Sequence, residues 1–151
     1  IPWDQVNQEQ QRVTAPFLHP QSISLVECEY KLRRIVNEYI ASPKSHTKLS
    51  IGLNKLKHLR SDIKQLGAHD AHQVGRILEI QCIADCIEMA TRASLFRTES
   101  RWGMPHFRYD YPKRHDEHWL NHIIIKHDSS KDKMLLFTKS VGTGTNKGDH
   151  S

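Results

Sequence analysis

The sequence predicts a mainly α-helical protein in which three main helices form a bundle. Three stretches repeat apolar residues at spacings of three and four positions, the pattern of a helix with one buried face. Pro, Gly and Ser interrupt this pattern between the stretches, as expected for the turns of a bundle. A short leading helix precedes the bundle, and a loop-rich segment and a small β-hairpin follow it. The apolar fraction of 37% predicts a small core.

The leading helix is predicted over residues 3–18. Its apolar stripe is only partial, and Pro16 and Pro20 end it because proline cannot continue the helical hydrogen-bond ladder. The surrounding region, residues 1–20, is polar, which fits a linker helix that lies on another surface.

Residues 21–96 hold the three helices of the bundle. Ser22 or Ser24 caps the first of them, and Asp70 caps the third. Gly67 is expected to stop the second helix. The predicted bounds are residues 25–41, residue 45 or 47 to about 66, and residue 71 to about 96.

The third bundle helix is apolar on more than one face, which predicts a central position buried on several sides. Cys82 and Cys86 lie one turn apart beside Ile83 and Ile87, and we expect them to pack as small buried side chains. The chain has three cysteines, an odd and sparse count that is typical of reduced thiols in the cytoplasm.

Arginine, acidic and aromatic residues are concentrated in the next segment, residues 97–122. Solvated loops favour small polar residues, whereas arginine with aromatic residues is typical of buried contact surfaces. The expected members of an interface or structural network are Arg97, Glu99, Arg101, His106, Arg108, Asp110, Asp116 and Trp119. Four of them, Arg101, Arg108, Glu99 and Asp110, should neutralise one another. The side chains expected to exclude water from them are Trp102, Tyr109 and Tyr111. A turn at Gly103 and Pro105 folds the segment back on itself.

The same segment permits two other kinds of site. Arg101, His106 and Arg108 could bind an anion together with the Ser100 hydroxyl, although we favour the neutralised network. A short helix predicted over residues 115–122 places three imidazoles on one face, a spacing that can bind zinc. These weak candidate ligands are His115, His118 and His122. We expect no native metal site.

Two short strands are predicted in the region 123–141. Residues 123–125 and 134–138 are rich in β-branched and aliphatic side chains, and residues 129–132 read as the turn between them. Residues 142–151 consist of Gly, Thr, Asn and charged residues with little apolar content, which predicts a disordered tail.

The spacing of residues in the arginine-rich segment matches one known family. It reads E-S-R-x-G-x-x-H-x-R-x-D-Y-P over residues 99–112 and D-x-x-W-x-x-H over residues 116–122, with Trp102 inserted where the common form reads E-S-R-G. In this it resembles the C-terminal domain of the succinate dehydrogenase and fumarate reductase flavoproteins, a family that includes L-aspartate oxidase and the adenylylsulfate reductase large subunit. The resemblance covers most of residues 1–140.

The resemblance implies a spectrin-repeat-like bundle that packs on an FAD-binding domain or chain and near an iron–sulfur subunit. It transfers no catalytic or cofactor-binding residue. The resemblance implies FAD in the parent enzyme and iron–sulfur clusters in its partner. This chain lacks the glycine-rich phosphate loop of a dinucleotide site, so we expect no cofactor in it. The chain is therefore not expected to be catalytic alone. The implied location is cytoplasmic, with membrane association only through partners.

Other classes are disfavoured by composition. The basic residues behind the net charge of +5 are scattered among acidic ones, whereas a nucleic-acid surface clusters them. The sequence has no apolar run of about 18 residues, so we expect no membrane insertion, and its first residues do not resemble a signal peptide. The alternatives left open are a free-standing helical interaction module without catalysis and a small His-rich metal-binding protein.

Overall fold

The computed structural model of the chain describes residues 2–20, 23–128, 130 and 133–141. Its elements are α1 (Trp3–Thr14), α2 (Leu25–Ile35), α3 (His46–Ile63), α4 (Ala71–Phe96), α5 (Asp116–Trp119), β1 (Asn121–Asp128) and β2 (Lys133–Ser140). A 3₁₀ turn, Ala15–Leu18, extends α1, and a π-helical turn, Val36–Ile40, extends α2. The predicted helical fold with a small hairpin is confirmed. The predicted tail, the candidate cap Ser22 and most of the predicted turn 129–132 lie outside the described residues.

Each bundle helix begins at a side-chain cap. Ser24 accepts a hydrogen bond from the backbone N–H of Glu27, and Ser45 accepts one from Lys48. Asp70 does the same for Gln73, at 2.8 Å. These caps satisfy N–H groups that have no partner inside the helix, so the three start points follow from the local sequence.

The core lies on both sides of α3, which packs against α2 and α4. Its buried apolar residues are Cys28, Leu32, Ile35, Ile40, Leu49, Leu56, Leu59, Ile63, Leu66, Ala68, Val74, Ile77, Ile80 and Ala84. Direct contact between α2 and α4 is slight, and an open groove floored by isoleucine and valine side chains runs between them. Helix α3 is therefore the middle helix of the bundle.

Helix α4 is less enclosed than its sequence predicts. Cys82 and Cys86 are exposed, and Ile83 is 44% exposed, because the face that carries them looks away from α3. The prediction that both cysteines pack as buried side chains is wrong. The apolar residues of α4 spread over several faces, and only the face toward α3 is fully covered by described residues.

Two glycines mark close approaches of the backbone. Gly67 does not adopt the left-handed conformation of a helix stop, and α3 ends earlier, at Ile63. A Cβ atom on Gly67 would lie 2.5 Å from the carbonyl oxygen of His19, so glycine is needed for the leading segment to reach the bundle. A Cβ on Gly52 would lie 3.0 Å from the Cβ of Tyr39, which explains glycine inside α3.

The leading segment contacts the N-terminal half of α4 and the residues just before it, whereas the hairpin contacts the C-terminal end. The Ala68 N–H donates to the Pro16 carbonyl at 2.9 Å, and Arg12 donates to Gln81 of α4 at 3.2 Å. Strands β1 and β2 pair antiparallel, from Asn121 opposite Ser140 to Asp128 opposite Lys133, and contact the end of α4. Within the described residues, none of the helices is both long enough and apolar enough to cross a membrane.

Candidate functional site

The arginine-rich segment begins with a tight turn that follows α4. The backbone N–H of Arg101 donates to the carbonyl of His106 at 3.1 Å, which closes the turn over residues 102–105. Trp102 and Gly103 both have left-handed φ angles, 60° and 66°. The predicted turn at Gly103 and Pro105 is in place, but the left-handed tryptophan has no signal in the sequence.

Glu99 is the centre of a first charge cluster. Its side chain is fully buried and accepts hydrogen bonds from Arg97 (2.7 Å), from Arg101 (2.6 and 3.1 Å) and from the backbone N–H of His115 (2.9 Å). Burial by itself would raise the pKa of Glu99. The hydrogen bonds from Arg101, His115 and Arg97 outweigh burial and hold the pKa below its ordinary value. Glu99 is therefore a buried carboxylate shared by two guanidinium groups.

This first cluster extends to the short helix and the hairpin. Arg101 donates to Asp116 at 2.7 Å, and Arg114 donates to the same carboxylate oxygen. Arg97 donates to the carbonyls of Trp119 and Asn121, at 2.9 and 2.8 Å. The Arg97 guanidinium also lies 5.2 Å from the Trp119 ring centroid. The cluster thus fixes α5 and the start of β1 to the end of α4.

Arg108 is the centre of a second cluster and has no exposed surface. Its Nε and Nη2 atoms donate to the two oxygens of Asp110 at 2.8 and 2.7 Å, a bidentate pair. Its Nη1 atom donates to the carbonyls of Ser94 and Arg97. Carbonyls at the end of a helix lack intrahelical partners, so Arg108 satisfies the C-terminus of α4.

Asp110 connects this second cluster to the start of α3. It accepts a hydrogen bond from the backbone N–H of His46 at 2.8 Å. The hydrogen bonds from Arg108 lower the pKa of Asp110 to about 2, with a smaller contribution from His46. Next to it, Lys44 exchanges backbone hydrogen bonds with Phe107 and Tyr109, at 2.9 and 2.7 Å. The segment therefore joins the start of α3 to the end of α4.

The predicted pairing of four charges is realised as two clusters. Glu99 pairs with Arg97 and Arg101, whereas Asp110 pairs with Arg108. Arg97 links the two clusters, because its side chain belongs to the first and its carbonyl accepts from Arg108 in the second. Sequence spacing could not assign these partners.

The prediction that three aromatic side chains exclude water from the charges is wrong. Trp102 is 74% exposed, Tyr109 is 76% exposed and Tyr111 is 41% exposed. Of the three, only Tyr111 contacts a buried cation, with its ring centroid 5.0 Å from the Arg108 guanidinium. The segment's own backbone and α4 surround the charges instead. The other two rings are largely exposed to solvent.

The alternative anion site does not form as the sequence suggested. The Ser100 hydroxyl accepts from the backbone N–H of Arg108 and donates to the Tyr111 carbonyl, both at 2.8 Å, so it is occupied by the segment's own backbone. His106 is buried beside Arg97, and burial is the main cause that lowers its pKa to about 4. The positive charges of Lys44, Arg97 and Arg108 lower the pKa of His106 further. Its imidazole is therefore uncharged at neutral pH.

The three candidate zinc ligands are not on one helical face. His115 precedes α5, His118 lies within it, and His122 lies in β1, because the predicted helix 115–122 forms only over Asp116–Trp119. All three side chains are exposed. No group of three or more possible metal ligands comes together among the residues that the structure describes.

Sequence reasoning missed the contacts that come from the start of α3. The Nζ atom of Lys44 donates to Ser94 at 3.2 Å, and burial lowers the pKa of Lys44, with a further contribution from the Arg108 charge. The backbone at His46 meets Asp110, 64 positions away. Such pairings leave no local pattern.

This geometry defines a class of domain: a helical bundle that is closed by a buried arginine–carboxylate segment and has no nucleotide-binding fold among its described residues. The family model described as "Fumarate reductase flavoprotein C-term" matches residues 29–147. The chain belongs to this family, the C-terminal domain of flavoprotein oxidoreductase large subunits. The family expected from the segment 97–122 is thereby confirmed.

Individual relatives agree with this assignment. The fumarate reductase flavoprotein subunit of Helicobacter pylori is 29% identical over 119 residues, which cover 72% of this chain and 16% of that protein. The succinate dehydrogenase flavoprotein subunit of Rickettsia conorii is 26% identical, over 80% of this chain and 20% of that protein. The chain thus spans a fifth or less of these relatives' length.

Solved structures share the fold. Adenylylsulfate reductase from Archaeoglobus fulgidus superposes with a TM-score of 0.85 and 26% identity, over 93% of this chain and 25% of that one. The E. coli quinol fumarate reductase superposes with a TM-score of 0.82 over 94% of this chain and 25% of that one. At 17% identity the second likeness concerns the fold alone.

Proposed function

We propose that this chain serves as the helical domain of the large subunit of an FAD-dependent oxidoreductase and has no catalytic activity alone. The observation that carries the proposal is the family match over residues 29–147. The full-length flavoprotein that would contain this sequence is called the parent subunit below. Its reaction would involve a small anionic substrate, since the relatives are named for fumarate, succinate and adenylylsulfate.

The residues present do not fit a flavin site. A dinucleotide site needs a glycine-rich turn between a strand and a helix, where the helix N-terminus meets the pyrophosphate. The described strands β1 and β2 form only a hairpin with each other, and the sequence contains no G-x-G-x-x-G. FAD would therefore be held by the rest of the parent subunit.

The role of this domain would be to present a rigid surface to its neighbours. The Glu99 and Arg108 clusters fasten α3, α4, α5 and β1 together through charge-assisted hydrogen bonds. The charges in the two clusters pair with one another, so the segment would contribute packing, rather than charge, to the contacts with its neighbours. The neighbours would be the FAD-binding part of the same subunit and, as in the resembled enzymes, an iron–sulfur subunit. The assembly would lie in the cytoplasm or reach a membrane only through such partners.

The test compares the isolated chain with the parent subunit, both purified without added cofactor. We expect the parent subunit to carry bound flavin and the isolated chain to be colourless, without fumarate, succinate or adenylylsulfate activity. Stoichiometric flavin in the isolated chain would contradict the assignment of the cofactor to the remainder. A colourless parent subunit would contradict the function and favour a helical interaction module. Metal analysis of the same samples tests the His-rich alternative.

A further inference from the structure

A cleft behind the turn 102–105 contains a buried imidazole that lacks a partner. His106 is 8% exposed, and no hydrogen bond to its Nε2 atom exists in the part of the chain that the structure describes. The cleft has a volume of about 340 Å³, and His106, Arg97 and Arg101 line its polar side. Folded proteins rarely leave a buried polar atom unsatisfied, so a partner beyond the described residues is expected.

The turn itself presents apolar side chains to solvent. Trp102 is 74% exposed and Met104 is 62% exposed, and Trp102 holds a left-handed φ of 60°. A left-handed conformation is unfavourable for a bulky side chain, and such strain tends to persist where it serves a function. Packing within this chain stabilises the left-handed conformation of Trp102 only slightly, because most of the indole ring is exposed. It does aim a large apolar side chain outward beside the cleft.

The cleft favours a polypeptide segment over a free anion. The Arg97 guanidinium already donates to Glu99, Trp119 and Asn121, so it has little capacity left to hold an anion. The rest of the lining is mostly apolar, with Trp102, Leu120, Ile123 and Val141 beside the polar side chains of Ser94, Asn121 and His122. A mostly apolar lining around the unpaired Nε2 atom fits a segment that inserts an apolar side chain and one polar group.

Charge decides which polar group fits. His106 is surrounded by Lys44, Arg97 and Arg108, with Glu99 as the opposing charge, so the local field is positive. A neutral imidazole in a positive field is best placed to donate from Nε2 to an oxygen atom. The occupant should therefore supply a carbonyl or carboxylate oxygen at this point.

We propose that the turn 102–105 and the cleft behind it, together called the Trp102 surface, are where the FAD-binding part of the parent subunit docks. Trp102 and Met104 pack against apolar side chains of that part, and one of its carbonyl or carboxylate oxygens accepts a hydrogen bond from His106 Nε2. The inference rests on the proposed function and names the contact surface. It also fits the extent of the chain, which covers only 25% of the adenylylsulfate reductase subunit it superposes on.

The first test is hydroxyl-radical footprinting of the isolated chain and of the parent subunit, with bound flavin measured on the same samples. We expect the oxidation rates of Trp102 and Met104 to fall at least about fivefold in the parent subunit. Tyr30, 66% exposed on α2, is the reference side chain and should change little. Unchanged rates at both residues in a flavin-loaded parent would overturn the Trp102 surface but leave the proposed function standing. A parent without flavin would instead overturn the proposed function.

The second test separates docking from folding by substitution. Trp102→Gly relieves the left-handed strain, so the isolated chain should melt at the same temperature or higher. After proteolytic cleavage between this domain and the FAD-binding part, the same variant should lower the affinity between the two fragments at least tenfold. Tyr30→Ala is the matched control and should leave the affinity unchanged. An unchanged affinity for both Trp102→Gly and His106→Ala would refute the proposal.

Two other occupants have distinct signatures in the isolated chain. A small carboxylate would shift the NMR signals of the His106 ring during a titration with succinate, and saturation at submillimolar succinate would overturn the proposal. A second copy of the chain would make a dimer, detected by sedimentation, in which Trp102 is already protected from oxidation. We expect neither result.

Discussion

Removing Arg108 should destabilise the chain far more than removing an exposed arginine. Arg108→Ala deletes a fully buried guanidinium that donates to both oxygens of Asp110 and to the carbonyls of Ser94 and Arg97. The substitution leaves a carboxylate without its cation and two carbonyls at the end of α4 without donors. One link between the start of α3 and this end, the hydrogen bond from His46 to Asp110, is also weakened, because Arg108 holds Asp110 in place.

The size of the effect follows from burial. Breaking a buried ion pair by removing one partner costs about 3–5 kcal/mol. The Asp110 side chain is 28% exposed, so solvent screens part of its charge and favours the lower half of this range. Each carbonyl that loses its donor adds roughly 1 kcal/mol or more. We therefore expect a loss of about 5–6 kcal/mol, a large part of the roughly 5–15 kcal/mol that stabilises a typical domain.

The matched control is Arg34→Ala. Arg34 pairs with Glu38, four positions further along, at 2.7 Å, and the two side chains are 63% and 42% exposed. An exposed pair of this kind contributes less than about 1 kcal/mol. In thermal melts followed by circular dichroism, about 2–4 °C per kcal/mol predicts a fall of roughly 10–24 °C for Arg108→Ala and under about 4 °C for the control. Equal shifts of the melting temperature for the two variants would refute the reasoning. If adding the FAD-binding part alone restored the melting temperature of Arg108→Ala, Arg108 would be assigned to the interface.

Three further predictions concern the imidazole, the core and the glycines. Burial lowers the pKa of His106 from 6.5 to about 4, so its neutral form stabilises the fold above pH 6.5, and this contribution is lost as the pH falls toward 4. NMR titration of the ring should show a midpoint near 4, and a midpoint near 6.5 would contradict its burial. Ile80→Asp should prevent cooperative unfolding in a melt, whereas Ile83→Asp should keep it, because Ile80 is 2% exposed and Ile83 is 44% exposed. Gly67→Ala should lower the melting temperature, because the added Cβ would meet the His19 carbonyl. Gly75→Ala should raise the melting temperature slightly through helix propensity, because Gly75 has open space around it in α4. Shifts of the same sign for the two variants would be inconsistent with this packing.

Local signals were sufficient to predict most helices and both strands. Ser24 and Asp70 cap helices where a short polar side chain precedes an apolar periodic run, and α4 has the predicted bounds, Ala71–Phe96. The hairpin formed around the predicted aliphatic runs and extends beyond them, because cross-strand pairing continues as far as Asn121 and Ser140. These features depend on residues within a few positions of one another, which a single sequence displays.

The environment of individual side chains could not be predicted in the same way. Ile83 and Cys82 look buried in sequence because apolar neighbours surround them, yet α2 diverges from α4 at this face. Arg108 and Glu99 were expected in one group, but the partner of each was decided by where α3 and β1 meet the end of α4. Contacts between residues far apart in the chain set these outcomes, and their geometry has no local pattern.

The charge clusters also limit what the segment can contribute to function. Glu99 and Arg108 have no exposed surface, and the hydrogen bonds of their side chains end on other residues of the domain. A substrate anion could displace these partners only by leaving Glu99 or Asp110 as an unpaired carboxylate next to itself, which electrostatics strongly opposes. The groups left to act on another molecule are the exposed side chains of the turn, Trp102 and Met104, and the buried, unpaired Nε2 atom of His106 behind them. In this segment the buried arginines therefore act as the support, and the exposed turn is the part that can distinguish one partner from another.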